Sequence, residues 1–282
     1  MRRAVITLAS AARRAHVDRQ QEFLARTDPD AVRIVVWLDV EPPTPPLEGP
    51  RVVPMPPGAD GLRLAAGRNA GAEAAREAGA ELLVFLDADC LAHPDLLDRY
   101  AEAAAREPGS LLCGAVTYLA EGVLPTGPDD IAALVAPHSA RPSPADGVIA
   151  RAADAEYALF WSLSFACTPA TWDRIGGFDE RYEGYGAEDT DFGFRARDRS
   201  IPLDWVGGAH AVHQHHPTST PPWQHLDDIL RNGSVFARVW GSWPMGGWLD
   251  AFAEAGAITR RDGVWMRAGD GASWEIARRT GL

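Results

Sequence analysis

The 282-residue sequence contains no lysine. All 27 of its basic side chains are arginine, set against 39 acids, for a formal net charge of −12. The missing lysine reads as a coding bias and implies no mechanism. The acid excess has a physical consequence: a protein that wraps nucleic acid needs a basic surface to release counterions, and this chain has the opposite balance. A nucleotide held through a divalent cation stays compatible. Cysteine is scarce: Cys90, Cys113 and Cys167 are odd in number, widely spaced and form no CxxC pair, which excludes a disulfide framework and a cysteine zinc site and favours a reducing compartment. Nowhere do 18 apolar residues follow one another, and the opening "MRRAVITLAS" reads as a strand, so a soluble, cytoplasmic chain is expected, with peripheral membrane association still compatible. No HExxH and no internal repeat occurs. What is present is 46% hydrophobic content, enough to fill one large α/β domain or two small ones.

The first 120 residues alternate. "RAVITLA" (3–9) and "VRIVVWLDV" (32–40) are buried strands on either side of "RRAHVDRQQEFLAR" (13–26), whose Val17, Phe23 and Leu24 have helical spacing. Eight prolines between 42 and 57 permit at most a short edge strand at "RVV" (51–53). An Ala-rich helix over 65–80, the strand "ELLVFLD" (81–87), a helix over 93–109 and the strand "LLCGAVTYL" (111–119) follow, then a Pro/Gly/Asp-rich stretch to about 150 that is loop by composition. This predicts a doubly wound α/β sheet carrying a nucleotide at the carboxyl ends of its strands, where Asp39 and Asp87 lie. Further on the pattern predicts a strand over 161–168, a short helix over 169–178, a helix over 187–199, extended runs at 201–206 and 209–217, a helical region from about 223 to 255, and a hairpin turning at Asp262-Gly263.

Three clusters can carry chemistry. In "LLVFLDADC" (82–90) two carboxylates, Asp87 and Asp89, close a buried strand. If the chain stays extended they leave the same face and can converge on one ion; alternatively, Asp89 only accepts hydrogen bonds in a turn. "GYGAEDTDFGF" (184–194) places Glu188, Asp189 and Asp191 at a helix start, which the helix dipole favours whatever else they do. The preceding glycines would let the backbone approach a ligand closely. "AHAVHQHHP" (209–217) holds His210, His213, His215 and His216. On an extended segment His213 and His215 share one face and His216 takes the other, and such clusters contact metal or phosphate or simply sit in solvent.

In their order and spacing, "GRNAGAEAAREAGAELLVFLDAD", "GGFDERYEGYGAEDTDFGFR" and "HQHHP" resemble the GT-A fold family-2 glycosyltransferases with a galactosyltransferase-type carboxyl half. The resemblance implies an α/β, Rossmann-like GT-A fold with a mostly parallel central sheet. Residues 1–220 would form the catalytic domain (1–120 nucleotide-binding, 121–220 acceptor and metal), with a helical extension over 221–282. It also implies a UDP-sugar donor, a carbohydrate or other hydroxyl acceptor, and Mn2+ or Mg2+. Residue by residue, Asp39 receives the uracil or ribose, Arg68 lies near the diphosphate, and Asp87 faces the ribose or the ion's outer shell. Asp89 coordinates the ion with His213 as first choice of histidine and His216 second. Asp189 is the general base, Glu188 an acceptor-binding acid, and Tyr185 an aromatic near donor and acceptor. Ala9, Ser10, Asn69, Ala88 and Gly186 border the nucleotide-sugar on the same matching. The Pro-rich loop and the surplus of histidines depart from the pattern.

Such residues suit glycosyl transfer with inversion: one carboxylate takes the acceptor proton, and a divalent ion stabilises the departing diphosphate without a proton. Of ten tryptophans, six follow residue 220. Most are expected in the core, with one or two near substrate. Two alternatives share the sheet. A sugar-phosphate nucleotidyltransferase would carry a Gly-rich motif with a basic residue near the first strand, and "TLASAARRA" lacks the glycines. A silent sugar-binding protein would have no use for both Asp89 and Asp189.

Overall fold

The computed structural model describes residues 1–269; the end of the predicted extension lies outside the described residues. Strand β1 (Arg3–Ala9), helix α1 (Arg14–Thr27), strands β2 (Val32–Trp37) and β3 (Arg51–Pro54), helix α2 (Leu64–Glu77) and strand β4 (Leu82–Leu86) follow the predicted alternation. They pair in parallel in the order β3-β2-β1-β4. The strands are continuous hydrophobic runs because both faces are covered. Helix α2 can lie flat on the sheet because its inward positions are small: a Cβ added at Gly71 would sit 2.4 Å from the Ile6 side chain.

Beyond β4 the sheet is mixed. Strand β5 (Cys90–Ala92), helix α3 (Leu96–Arg106), strand β6 (Leu111–Tyr118), helix α4 (Pro128–Ala133), strands β7 (Ile149–Arg151) and β8 (Ser164–Cys167), helices α5 (Pro169–Ile175) and α6 (Glu188–Asp198) and strand β9 (Leu203–His213) complete it. Strand β8 is inserted antiparallel between β4 and β6, β9 runs parallel to β6, and β5 and β7 share the outer edge of β9. The two extended runs predicted at 201–217 are thus one strand that stops at His213. Two short elements appear where composition indicated only loop. Helix α4 starts with Pro128 in its first turn after Gly127 and buries Ile131 against Leu91, Leu119 and Val212; β7 survives by pairing with β9.

A stack of rings fixes the second half to the sheet. Phe85 lies on Phe165 with centroids 4.4 Å apart, and Phe178 lies on Phe192 of α6 at 4.2 Å. This seats α6 with its first turn at the carboxyl edge of β4. Helices α7 (Leu226–Trp240) and α8 (Gly246–Glu254) and the hairpin β10 (Ile258–Arg261) and β11 (Val264–Arg267) form a separate small core around Ile229, Leu249 and Phe252. The predicted helical region from 223 to 255 is therefore two helices, separated at Gly241, whose left-handed backbone closes α7.

Candidate active site

Two corners form at the carboxyl edge of β4, on either side of the turn Asp87-Ala88-Asp89. The turn is held from behind. Gln20 of α1, fully buried, donates to the carbonyls of Asp87 (2.7 Å) and Cys90 (2.8 Å) while its own oxygen accepts from Thr7. Ala88 is buried among Ala9, Val17, Val35 and Trp37.

The first corner gathers Asp89 and two histidines. Strand β5 starts one residue after Asp89, pairs Cys90 with His213, and the Gln214 amide donates to the Asp89 carbonyl at 2.7 Å. This extra rung puts Asp89 between His213 and His216: the carboxylate lies 3.5 Å from His213 Nε2 and 3.2 Å from His216 Nε2. The expected facing is corrected here. The chain leaves the strand after His213, Gln214 buries its side chain against Arg19 and the His16 carbonyl, and so His213 and His216 converge while His215 is exposed. His210 is turned away, its Nε2 2.7 Å from the Thr117 hydroxyl; burial, with His93 adding repulsion, pushes its pKa down to about 4. One ligand atom each from Asp89, His213 and His216 lies within 4.8 Å of the others. One oxygen and two imidazole nitrogens fit a divalent transition ion such as Mn2+ better than Mg2+, which prefers an all-oxygen shell. Asp87 is not in this cluster. The Arg13 guanidinium instead reaches it, 3.2 Å from Asp89 and 3.2 Å from His216. Burial works to raise the Asp89 pKa, but the hydrogen bond from His216 and the charges of His213, His216 and Arg13 outweigh it and hold the carboxyl at about 2.

The second corner is the reverse, with three acids about one cation. Arg68, 4% exposed, lies 3.4 Å from Asp87 and 3.3 Å from Glu188, with its guanidinium 5.1 Å from the centre of the Phe178 ring. Burial pushes the Asp87 pKa up to about 6 against the pull of Arg68. Asp189 is pushed up too, first by burial and then by the Glu188 charge, and accepts the Thr190 amide at 2.7 Å. Ala187 opens α6 in the left-handed region (φ 74°), an uncommon conformation for a residue with a side chain and a mark of a segment held to a purpose. Gly186 before it has φ 95°, which requires glycine. Asp191, by contrast, is structural, accepting from Trp240 (2.8 Å) and Tyr182 (3.3 Å).

The other expected residues separate. Asp39 accepts the Ala11 amide at 2.5 Å and borders a cleft of about 570 Å³ with Trp37, Arg14 and Thr44. Ser10 leads into the 3-10 turn that bears Arg13, and Ala9 is buried in β1. Asn69 is already engaged: its amide exchanges two hydrogen bonds with the Phe178 backbone (2.9 and 3.0 Å), so it positions the glycine-rich loop. Tyr185 stacks on His225 at 4.3 Å, with Trp248 at 6.1 Å. Sequence reasoning missed Arg13, Trp37, Gln20 and Gln214. A basic side chain just after the first strand was the available signal for Arg13; a buried glutamine has none.

Comparison with known proteins bears on the fold and the family resemblance. Residues 58–161 match the family model for glycosyl transferase family 2, and residues 150–217 match the model described as the N-terminal domain of galactosyltransferase. Validoxylamine A glucosyltransferases from Streptomyces hygroscopicus subsp. jinggangensis (strain 5008) and subsp. limoneus are each 29% identical over 168 residues, 51% of this chain; the match spans 37% and 34% of their lengths, about a third of each relative. Among solved structures, GalNAc-T7 with UDP, GalNAc and Mn2+ superposes with a TM-score of 0.60 at 13% identity, over 85% of this chain and 48% of that one. TarS 1–349 of S. aureus superposes at 0.54 and 14% identity, over 84% and 66%. The fold is that of the GT-A glycosyltransferases, and both segments resembling family 2 and galactosyltransferase lie where the motifs placed them. Among the described residues no helix is long and apolar enough to cross a membrane.

Proposed function

On the premise of a GT-A glycosyltransferase fold, we propose that this protein is a metal-dependent enzyme that transfers a hexose or N-acetylhexosamine, with inversion, from a UDP-sugar to an acceptor hydroxyl. The observation that carries the reading is the pairing of opposite corners across one turn, a cation-seeking Asp89-His213-His216 cluster beside a carboxylate with a raised pKa, Asp189. The nucleoside base would enter the cleft of Trp37 and Asp39, and the diphosphate would lie along Arg13 and Arg68. A divalent ion held by Asp89, His213 and His216 would supply positive charge to the leaving diphosphate. The presence of UDP and Mn2+ in the GalNAc-T7 structure supports that choice.

Asp189 is the base. Its carboxylate takes the proton of the acceptor hydroxyl as the oxygen attacks the anomeric carbon opposite the diphosphate, and burial with the Glu188 charge makes it a stronger base than an exposed carboxylate. Glu188, fixed by Arg68, orients the acceptor. Screening UDP-, GDP- and TDP-sugars with and without Mn2+, by thermal shift and by release of nucleotide, tests the donor. A UDP-sugar that acts only with Mn2+ is the expected result, and equal response to all three nucleotides overturns it. Proton NMR of the product reads the anomeric configuration; retention overturns the base assignment.

A further inference from the structure

Next to Asp189 along α6 lies a second cavity, of about 470 Å³, lined by Thr190 and by Trp248, the ring near Tyr185, together with residues not met so far. Trp161, Phe194, Trp243, Met245 and Trp248 wall it, and among the described residues every lining side chain is uncharged, in a chain that is 23% charged. Thr190 joins it to the candidate base: its amide and hydroxyl both donate to the Asp189 carboxylate, at 2.7 and 3.4 Å. Its far wall touches the glycine-rich loop, because Met245 sulfur lies 3.1 Å from where a Cβ on Gly186 would be.

The walls are set before any ligand arrives. The Trp243 indole rests on α7 where Gly233 leaves room, since a Cβ there would lie 2.7 Å from the ring, and its N–H donates to the Gly263 carbonyl at 3.0 Å. Trp161 is backed by Arg141, whose guanidinium lies 5.1 Å from its ring centre and equally far from that of Trp205. Met245, which starts α8, holds φ 57°, a costly conformation for a methionine. Rigid aromatic faces fixed this way cost little further entropy on binding.

Resting on the glycosyltransferase reading, we propose that the acceptor is an uncharged alcohol built on an apolar ring system, an aryl or alicyclic aglycone, seated in this cavity with its hydroxyl at Asp189. A saccharide would bring several hydroxyls into a cavity where, among the described residues, the side-chain hydroxyls are those of Thr190 and Ser242, the first already turned to Asp189; buried without partners, each unmet hydroxyl is costly. An anion would meet no cation among the described lining residues.

The test measures equilibrium binding to the full chain in UDP and Mn2+, by tryptophan fluorescence and calorimetry. The probes are 2-naphthol, cellobiose and 6-hydroxy-2-naphthoate. The expected order is 2-naphthol tightest, with the other two at least about tenfold weaker. Trp243→Ala and, as a second variant, Gly233→Ala, which displaces the same indole, should each weaken 2-naphthol at least about tenfold while the thermal shift given by UDP and Mn2+ is unchanged, which also reports folding. Cellobiose or the naphthoate binding as tightly as 2-naphthol overturns the proposal, as does unaltered 2-naphthol binding in both variants. Failure of UDP and Mn2+ to bind, with 2-naphthol still bound, instead overturns the donor reading and leaves this one standing.

Discussion

Asp87 and Asp89 stand two residues apart on one turn, yet their surroundings drive them in opposite directions, one toward about 6 and the other toward about 2. Both are only partly withdrawn from water, Asp87 the less so; the difference lies in the company. Asp89 meets Arg13 and two imidazoles, of which burial holds His213 toward its neutral form, whereas Asp87 shares the single Arg68 with Glu188 while Asp189 lies alongside. A carboxylate beside a guanidinium and hydrogen-bonded to imidazole stays ionised, the form in which it can act as a ligand. One surrounded by carboxylates holds its proton more tightly and serves as a base. The short Asp-Ala-Asp motif therefore separates two electrostatic settings.

The sharpest way to break this contrast is at the acidic corner. Asp189→Asn is expected to lower transfer by about 10²–10⁴-fold, the usual worth of a general base, while calorimetry finds UDP affinity in Mn2+ nearly intact; normal turnover removes the base assignment. The same variant should melt higher than the native chain above neutral pH. The sign follows from linkage: with its folded pKa raised above the ordinary carboxylate value, Asp189 contributes stability fully at low pH and loses it as pH rises through the folded pKa, a loss that asparagine does not suffer. At the cationic corner, Asp89→Ala should weaken UDP binding in Mn2+ by at least about tenfold and abolish the difference between titrations with and without the ion. An unchanged difference argues against the ion site.

Behind the turn, Gln20→Ala leaves two carbonyls and the Thr7 hydroxyl without their buried partner and is expected to cost about 1–3 kcal/mol, read as a lower urea midpoint. No loss there means the turn holds itself. The smallest effect is also the most specific. Glu188→Gln removes the charge that helps push Asp189 up, so the acid limb of the rate profile should move to lower pH, by less than about one unit. A limb that stays in place uncouples the two acids.

The parallel strands and the helices between them were legible because continuous apolar runs and 3.6-residue spacing are local properties, and the Asp89 and Asp189 motifs were legible because their order along the chain is specific. The site's assembly was not. That His216 and not His215 joins His213 depends on the Gln214 amide reaching Asp89 across 125 residues, and an alternation rule cannot see a strand end. Arg13 and Trp37 were missed for a similar reason: a basic or aromatic residue near a strand end acquires meaning only when the neighbouring strand brings a carboxylate or a cleft to it. The tryptophans after residue 220 were expected mainly in the core, with one or two near substrate; which two line the cavity next to Asp189, Trp243 and Trp248, follows from the end of α7 at Gly241 and the loop after it.

Strand β8 comes late in the chain but lies between two early strands, β4 and β6. Dividing the gene after residue 120 would therefore yield no self-standing nucleotide-binding piece, only a fragment with a slot through its middle and two open hydrogen-bonding edges. Chimaeras that exchange carboxyl halves between relatives would have to thread a foreign strand into that slot, so the portion that carries Asp87 and Asp89 and the portion that supplies the histidines must be inherited and engineered together.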